Sequence, residues 1–307
     1  MIYIIILNWN NAESTIRCLK SILILDSIDV RIIVVDNGSS TSDRGILHNY
    51  LDLLNSGNIE IIYNQSNLGF GAGMNVGIRY ALNMDDSKFI WLLNNDTEVT
   101  QSSLNELLKK FELNKNLYLC GSTLVYLDNT SKIAALGGTY NSWLGTTKHI
   151  GVNCNIEILD EICKSDFIPD YVVGASLFFT TTALKTIGLI SEEYFLYYEE
   201  LDWIHRLRLI SSEAKYEVAY KSIVMHKEGG STGVSNKSNS SYSYSSDFYK
   251  LRSRLIFAKK YYPFKYWVVR FSMFLVFLSR LIKANFLGAK LALFFFLGIN
   301  LKREYYK

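Results

Sequence analysis

Acidic side chains follow three apolar segments of the chain, a pattern suited to holding a metal ion, a nucleotide or both. The three pairs are Phe89–Leu93 with Asp96, Ile32–Val35 with Asp36, and Phe195–Tyr198 with Glu199, Glu200 and Asp202. Strands this apolar are buried on both faces, as in a parallel sheet covered by helices. Open α/β sheets bind their ligands at the carboxyl ends of the strands. We therefore expect the three acidic segments, each at a predicted strand end, to meet in one pocket.

Each carboxylate alone also has a purely structural interpretation. Asp36 precedes Asn37-Gly38-Ser39-Ser40, which is ordinary turn chemistry. Asp96 lies in Asn94-Asn95-Asp96, and residues of this type also cap helices. The three segments together favour a functional site, because perturbed carboxylates cluster at such sites.

The elements that would position these residues alternate between strand and helix over the first 100 residues. Predicted strands are Ile2–Leu7, Arg31–Val35, Ile59–Tyr63 and Phe89–Leu93, and predicted helices are Ala12–Leu25, a segment ending at Leu82 after a glycine-rich run, and Ser102–Leu113. This alternation predicts an α/β fold with a doubly wound, largely parallel sheet.

Between residues 118 and 226 the alternation breaks down. We predict three further strands, a helix beside the third acidic segment, and a mobile loop rich in Ser, Gly and Asn. These are the strands Leu117–Tyr126, Tyr171–Thr180 and Tyr216–Met225, the helix Leu201–Leu209 and the loop Gly229–Ser246.

The composition fits one large domain, or a domain with an appendage. The chain has 307 residues, of which 49% are hydrophobic. Its four cysteines, Cys18, Cys120, Cys154 and Cys163, show no C-x-x-C spacing. We therefore expect reduced thiols in a cytoplasmic protein, and no zinc site. The first apolar run is short and has no basic residues before it, which favours a first strand over a signal peptide.

Charge is divided unevenly along the chain. Residues 248–307 contain 13 Lys and Arg residues but one acidic residue, which gives a net charge of +12. Residues 1–247 carry 19 basic and 28 acidic residues, which gives −9. An acidic body with a basic tail points to an anionic surface as the partner of the tail.

The tail is also rich in aromatic and aliphatic residues. Its apolar runs Tyr266–Leu278 and Ala284–Ile299 are interrupted by Arg270 and Lys290, and fall short of the roughly 18 uncharged apolar residues typical of a spanning helix. We predict amphipathic helices lying in a membrane interface. A helical hairpin packed on the body is the alternative.

Six motifs occur in a fixed order along most of the chain. They are Asn8-Trp9-Asn10-Asn11, Val34-Val35-Asp36-Asn37-Gly38-Ser39-Ser40, Asn67-Leu68-Gly69-Phe70-Gly71-Ala72-Gly73-Met74-Asn75-Val76-Gly77, Leu92-Leu93-Asn94-Asn95-Asp96, Tyr197-Tyr198-Glu199-Glu200-Leu201-Asp202-Trp203, and His226. With these motifs the chain resembles the inverting family 2 glycosyltransferases of GT-A fold, in particular the rhamnosyltransferase-like members of cell-surface polysaccharide pathways. The likeness runs from Ile4 to about Phe257.

The resemblance implies a divalent metal site, Mn²⁺ or Mg²⁺, at Asp96. Asn94-Asn95-Asp96 stands where the family has its D-x-D motif, with Asn94 replacing the first aspartate. The cation would bridge the diphosphate of a nucleotide sugar, which agrees with the preference of hard cations for oxygen ligands. His226 matches a later metal or diphosphate ligand, and its imidazole favours Mn²⁺; a histidine that merely ends a strand is the alternative.

The resemblance also implies a set of residues that line the donor nucleotide. The set is Asn8, Asn10, Asp36, Asn67, Gly69, Asn75, Asn94 and Asn95. Glycines in the run 67–77 allow close backbone approach to a phosphate and lead into a helix N-terminus. A dinucleotide-binding fold is disfavoured, because the spacing is G-x-G-x-G and the run does not follow the first strand.

On the acceptor side, the resemblance implies that Glu200 is the catalytic base, where the family usually has an aspartate. An inverting transfer needs one base to take the proton of the acceptor hydroxyl. Asp202 is the second choice, because neighbouring carboxylates titrate as a set. The other residues predicted to face the acceptor are Gly174, Ala175, Glu199 and Trp203. For Trp203, core packing is an equally good interpretation.

Two arginines, Arg252 and Arg254, resemble the aromatic and basic stretch that follows the mobile loop in the family. Guanidinium groups suit phosphates, so these two could grip a donor or lipid diphosphate. A plain amphipathic helix explains them as well.

Together these features predict a GT-A domain over 1–230, a flexible loop over 231–247 and a basic, membrane-associating helical tail over 248–307. The predicted activity is a hexosyltransferase-type inverting transfer from a nucleoside-diphosphate sugar (dTDP-rhamnose or a UDP-hexose) to a lipid-linked oligosaccharide of O-antigen or capsule synthesis. The predicted location is the cytoplasm, peripheral on the inner face of the plasma membrane, with no nucleic-acid partner. A nucleotidyltransferase and a non-catalytic nucleotide-sugar-binding protein are the alternatives.

Overall fold

A nine-stranded mixed sheet with helices on both faces forms the body of the protein in a computed structural model. The structure describes residues 1–25, 29–54, 56–162, 168–210, 215–227 and 244–299. Its strands are β1 Ile2–Asn8, β2 Val30–Asp36, β3 Ile59–Tyr63, β4 Phe89–Asn94, β5 Thr97–Glu98, β6 Leu117–Tyr126, β7 Asn129–Ala135, β8 Gly138–Asn141, β9 Thr146–His149, β10 Ser176–Thr180 and β11 Lys215–His226. Its helices are α1 Ala12–Leu23, α2 Thr41–Leu54, α3 Phe70–Leu82, α4 Gln101–Leu113, α5 Leu159–Ile162, α6 Thr181–Ile187, α7 Glu199–Ile210, α8 Tyr244–Tyr261, α9 Tyr266–Ile282 and α10 Phe286–Leu297.

The first half of the sheet is parallel, as the alternation of elements predicts. Strands β3, β2, β1 and β4 lie side by side in that order, and all their pairings are parallel. Along β1, Tyr3 and Ile5 face one apolar layer while Ile4 and Ile6 face the other. The strand is apolar throughout because both of its faces are covered.

The second half of the sheet is mixed, so the prediction of a largely parallel sheet is wrong there. Strand β10 pairs antiparallel with both β4 and β6, and β7 and β5 are antiparallel to their neighbours. An antiparallel neighbour needs no helical crossover, which is why the regular strand and helix pattern disappears from the sequence after residue 118. Strand β10 also starts at Ser176, later than the predicted Tyr171.

The segment before Glu199 is an irregular loop and not the predicted strand end. Phe195, Tyr197 and Tyr198 have φ angles of 64°, 69° and 75°, in the left-handed region that bulky residues rarely adopt. A strand cannot pass through such angles. The loop is held from outside, since the Phe195 carbonyl accepts a hydrogen bond from Phe70 N at 2.6 Å and the Tyr198 hydroxyl donates to Gly145 O at 2.5 Å.

Helix α8 is packed into the body, while α9 and α10 join it in a smaller apolar cluster. Phe257 of α8 is fully buried in the main core, and Val269 and Leu291 belong to the smaller cluster. Helix α8 starts at Tyr244, inside the stretch Gly229–Ser246 that was predicted as a loop. Residues 229–243 of that stretch lie outside the described residues, as does Cys163. Within the described part of the chain, no helix has the length and apolarity to cross a membrane.

Candidate active site

Asp96 and His226 meet at one edge of the sheet although 130 positions separate them. Asp96 lies in the turn between β4 and β5, and β5 pairs with the end of β11, where Thr97 faces His226. As a result Asp96 Oδ1 lies 3.3 Å from His226 Nε2. Backbone bonding fixes the pair, because Lys227 N donates to Asp96 O at 2.9 Å.

The two asparagines before Asp96 anchor this turn in different directions. The Asn94 backbone N donates to Ala175 O at 3.0 Å, which ties the turn to the segment before β10. Among the described residues, the buried Oδ1 of Asn94 accepts no hydrogen bond. Asn95 donates to Thr15 Oγ1 at 3.1 Å and so ties the turn to α1.

Asp36 is fully buried at the end of β2, and its carboxylate is already engaged by the protein. It accepts hydrogen bonds from Asn8 Nδ2 at 3.0 Å, Ser39 N at 3.1 Å and Arg44 Nε at 2.7 Å. The Arg44 guanidinium also lies over the Tyr63 ring, 5.4 Å from its centroid. Asp36 therefore holds together the ends of β1 and β2 and the first turn of α2.

Asp43 and Arg44 complete this network, and neither is among the predicted site residues. Asp43 accepts from Asn8 Nδ2 at 2.9 Å and from Ala12 N at 2.8 Å. The sequence does carry a signal for them: Ser40-Thr41-Ser42-Asp43 has the spacing of a capping box. That spacing predicts the start of a helix and a carboxylate in its first turn.

Two other predicted donor residues shape the loops around this network. Asn10 adopts a left-handed backbone with φ of 51° and accepts from Ser40 N at 2.7 Å. Asn67 accepts from Gly69 N at 2.8 Å and from Asn37 Nδ2 at 3.1 Å.

Gly69 and Asn75 join the loop 67–70 and helix α3 to the loop before Glu199. Gly69 has φ of +89°, and a Cβ there would lie 2.6 Å from the carbonyl oxygen and ring of Phe195. Asn75 is fully buried and forms hydrogen bonds with both the N and the O of Ile190, at 3.0 and 2.9 Å. Asn75 thus holds the loop on α3, and its polar atoms point to Ile190 and Glu192.

Glu200 lies beside the segment that carries Gly174 and Ala175. A Cβ on Gly174 would lie 3.7 Å from Glu200 Oε2, while the next carbonyl, that of Ala175, receives the Asn94 backbone N–H. The short segment 174–175 therefore separates Glu200 from the turn of Asp96. Burial raises the pKa of Glu200 to about 7.

Glu199 is buried, and its pKa is raised well above the usual range by burial and then by the charge of Glu200. Within the described residues its Oε1 has no hydrogen-bond partner. Two adjacent carboxyl groups with raised pKa are a frequent feature of catalytic sites.

Asp202 differs from its two neighbours because donors surround it. Its carboxylate accepts from Arg206 Nε at 2.7 Å, Lys260 Nζ at 2.9 Å, and the hydroxyls of Tyr194 and Tyr261 at 3.0 and 2.9 Å. Burial opposes ionisation, but the hydrogen bond from Lys260 and the charge of Arg206 outweigh it and lower the pKa. Asp202 joins α7 to α8 and has no lone pair directed at solvent.

The remaining predicted residues have hydrogen-bond partners within the protein. Trp203 is buried in the core, donates to Gly188 O at 3.0 Å and packs edge-on against Phe179. Arg252 donates to Glu193 O at 2.7 Å, and Arg254 donates to Leu144 O at 2.7 Å. The two arginines bind backbone carbonyls and fasten α8 to the body.

Basic side chains beside Asp96 were not predicted. Arg17 and Lys227 line the same small recess as Asp96. Lys227 directly follows His226 in the sequence, which is the one signal that could have found it. Arg17 comes from the exposed side of α1, and nothing in its local sequence indicates its place.

Comparison with known proteins decides the family. Residues 3–164, more than half of the chain, match the model of the family described as glycosyl transferase family 2. The chain belongs to glycosyl transferase family 2. The resemblance seen in the motifs is confirmed at this level, while the rhamnosyltransferase-like branch stays a prediction.

Individual relatives of this family 2 chain are distant. The low-salt glycan biosynthesis hexosyltransferase Agl10 of Haloferax volcanii is 24% identical over 209 residues, which cover 67% of the chain and 61% of Agl10. The chain thus matches about three fifths of the length of that relative.

Solved structures show the same fold at low identity. GalNAc-T7 with UDP, GalNAc and Mn²⁺ superposes with a TM-score of 0.59 at 14% identity, over 74% of the chain and 43% of GalNAc-T7. The mannosyltransferase PcManGT of Pyrobaculum calidifontis, with GDP-Man and Mn²⁺, gives 0.57 at 11% identity, over 98% of the chain and 76% of PcManGT. The predicted GT-A fold is therefore confirmed, with a mixed sheet in place of a largely parallel one.

Proposed function

We propose that the chain transfers one hexosyl unit from a nucleoside-diphosphate sugar to an acceptor hydroxyl, with inversion. The observation that carries the proposal is the segment 174–175, which has the Asp96 turn bonded to it at Ala175 and the Glu200 carboxylate next to it at Gly174. The turn that carries Asp96 and the carboxylate of Glu200 thus both adjoin one short stretch of chain. Membership of family 2 supports the same reaction.

The donor set at Asp96 fits a divalent cation. It offers a carboxylate oxygen and an imidazole nitrogen that lie 3.3 Å apart, and this mixture suits Mn²⁺. Within the described residues, no group of three or more His, Cys, Asp or Glu side chains could hold a metal ion. A cation held by Asp96 and His226 would take other ligands from the diphosphate, as is usual for such sites, and when bound would supply positive charge for the leaving group.

Glu200 is the residue we assign as base. With a pKa of about 7, Glu200 is partly deprotonated at neutral pH. It is also basic enough to accept the proton of an acceptor hydroxyl. Asp202, the second choice, is bonded to four donors and acts as a positioning residue that holds the first turn of α7. Glu199 precedes Glu200 in α7, and the charge of Glu200 adds to burial in raising the pKa of Glu199.

The donor and acceptor are proposed at a finer level from the motifs of the sequence. dTDP-rhamnose or a UDP-hexose is the proposed donor, and a lipid-linked oligosaccharide of cell-surface polysaccharide synthesis is the proposed acceptor. GalNAc-T7 was solved with UDP and GalNAc, and PcManGT with GDP-Man, so a donor panel has to include UDP, GDP and dTDP sugars. We place the reaction on the cytoplasmic face of the membrane, whose leaflet is anionic.

A binding and turnover assay with metal tests this function. The wild-type protein is heated with each nucleoside diphosphate, with and without Mn²⁺, and donor hydrolysis is followed by release of nucleoside diphosphate. We expect a Mn²⁺-dependent rise in melting temperature and slow hydrolysis for one donor class. Asp96→Asn should lose both, because it removes the charge that faces the cation.

The exposed Glu112→Gln serves as a matched control and should keep both signals. Release of pyrophosphate would instead identify a nucleotidyltransferase. Metal-dependent binding without any turnover of bound donor would favour a nucleotide-sugar-binding protein. An Asp96→Asn variant that binds and turns over normally would refute the metal assignment.

A further inference from the structure

One face of α9 exposes a continuous stripe of large apolar side chains. Its members recur at helical spacing and start just before the helix, at Phe264, which is 98% exposed. The stripe consists of Phe264, Trp267, Val268, Phe271, Leu275, Leu278 and Ile282. Contiguous apolar surface of this extent marks an interaction site in a protein that folds in water.

The stripe is not the packing face of the helix. The opposite side of α9 buries Val269, Ser272 and Met273 against α8 and α10. Because α9 packs against α8 and α10 on that side, the outward stripe is left over as a surface for a separate binding partner. Within the described part of the chain, no element covers it.

The body of the protein extends this stripe through the turn between β8 and β9. Trp143 in this turn is 59% exposed, and Lys265 Nζ lies 4.7 Å from the centroid of its ring and bonds to Ser142 Oγ at 2.7 Å. Gly145 fits against Val269, where a Cβ would lie 2.8 Å away. We call the stripe together with Trp143 the lipid-facing surface.

Basic residues surround the lipid-facing surface. Arg270 stacks over Trp267 at 5.3 Å, Lys265 lies at the start of α9, and the exposed Lys283 follows Ile282 at its end. The net charge of +12 over residues 248–307 complements an anionic surface and would repel the same surface of a second copy. Trp and Phe with Lys and Arg on an amphipathic helix is the composition of helices that lie in a bilayer interface.

We propose that the lipid-facing surface seats the protein on an anionic bilayer, with α9 lying in the plane of the interface. The Tyr198 hydroxyl, one residue before Glu199, donates to Gly145 O in the same β8–β9 turn that carries Trp143. This contact ties the loop before Glu199 to the turn that carries Trp143. The further consequence, that the acceptor reaches Glu200 from the membrane, rests on the proposed function.

Vesicle sedimentation tests the seating on lipid. The full chain is mixed with neutral phosphatidylcholine vesicles or with vesicles that also contain phosphatidylglycerol, at low and high salt. We expect binding to the anionic vesicles that weakens with salt. Trp267→Glu with Phe271→Glu should reduce that binding at least tenfold, because both charges would enter the interface.

Leu53→Glu is the matched control, since Leu53 is 86% exposed on α2, outside the lipid-facing surface. It should bind vesicles like the wild type, and all variants should keep the wild-type melting temperature. Equal binding of the double variant and the wild type overturns the proposal. So does a wild-type dimer in vesicle-free sedimentation that the double variant disperses, because a second copy would then be the occupant.

The two proposals fail in different ways. Vesicle binding is measured without donor, and donor hydrolysis is measured without vesicles. If the double variant loses vesicle binding but keeps donor hydrolysis, both proposals stand. If vesicle binding is as expected but no donor is hydrolysed, the lipid-facing surface stands and the proposed transfer does not.

Discussion

The three carboxyl groups in the first turn of α7 differ in pKa, since two have a raised pKa and one has a lowered pKa. Burial raises the pKa of Glu199 and of Glu200, whereas Lys260, Arg206 and Tyr261 outweigh burial and lower the pKa of Asp202. Separation of this kind assigns roles: the raised group can exchange a proton near neutral pH, and the lowered group stays charged and holds structure.

The pH dependence of transfer should follow Glu200. Because a base works only when deprotonated, we expect kcat/KM to fall about tenfold per pH unit below about pH 7. Glu200→Gln should lower kcat by about 10²-fold or more with an unchanged melting temperature at acidic pH. Rates across pH 5–9 for both proteins check this, and a flat wild-type profile would remove Glu200 from the role.

Residue-scale prediction from the sequence succeeded where a residue ends a strand. Asp96 and His226 were both placed at strand ends, and strand ends on one edge of a sheet meet. Arg252, Arg254 and Trp203 have backbone carbonyls in distant loops as partners, and their roles at the site stay predictions. No local pattern specifies such partners, because any exposed carbonyl can accept them.

The loop 195–198 shows why one element was predicted wrongly. Its aromatic residues have strand propensity, but tertiary contacts force a left-handed backbone on three of them. Phe195 stacks on Tyr249 with centroids 4.4 Å apart, and Gly69 lies against its ring and carbonyl. These contacts are remote in sequence, and so the conformation could not be predicted locally.

Gly69→Ala should therefore disturb two loops at once. The new Cβ would lie 2.6 Å from Phe195, on a backbone with φ of +89°, and we expect a loss of about 1–3 kcal/mol in the free energy of unfolding. Gly45→Ala, in the interior of α2 with nothing within 4 Å, should be neutral or stabilise by up to about 1 kcal/mol. Urea unfolding of both variants measures this; equal stabilities would show that the 69–195 contact is loose.

At the scale of the whole molecule, α8 packs both on the body and against α9 and α10. Phe257 is fully buried against the rings of Tyr140, Tyr198 and His205, and Lys260 bonds to Asp202. The predicted boundary between the loop 231–247 and the tail 248–307 rests on composition. Composition shows where the charge changes, but it does not show which helices pack on the body. The parallel pairing of β1 to β4 was accessible from the sequence, because strands that alternate with helices predict a parallel sheet.

Phe257→Ala tests where the body ends. Removing this ring from the core should lower the free energy of unfolding by about 3–5 kcal/mol, seen in the main urea transition. Phe264→Ala, at a position 98% exposed, should change it by no more than about 0.5 kcal/mol. If Phe257→Ala leaves the free energy of the main urea transition unchanged, α8 is an independent appendage.

The hydrogen bond from the Tyr198 hydroxyl to Gly145 O connects the loop 195–198, on the nucleotide side, to the β8–β9 turn, on the lipid side. A bound nucleotide would affect the loop 195–198 through the contact of Gly69 with Phe195. A lipid surface would affect the same loop through the β8–β9 turn that carries Trp143. Thermodynamic linkage then requires reciprocity: whatever factor vesicles add to nucleotide affinity, nucleotide must add to vesicle affinity. The affinity for nucleotide would be measured with and without vesicles, and the affinity for vesicles with and without nucleotide. Tyr198→Phe, which removes the hydrogen bond, should abolish any mutual effect between the two.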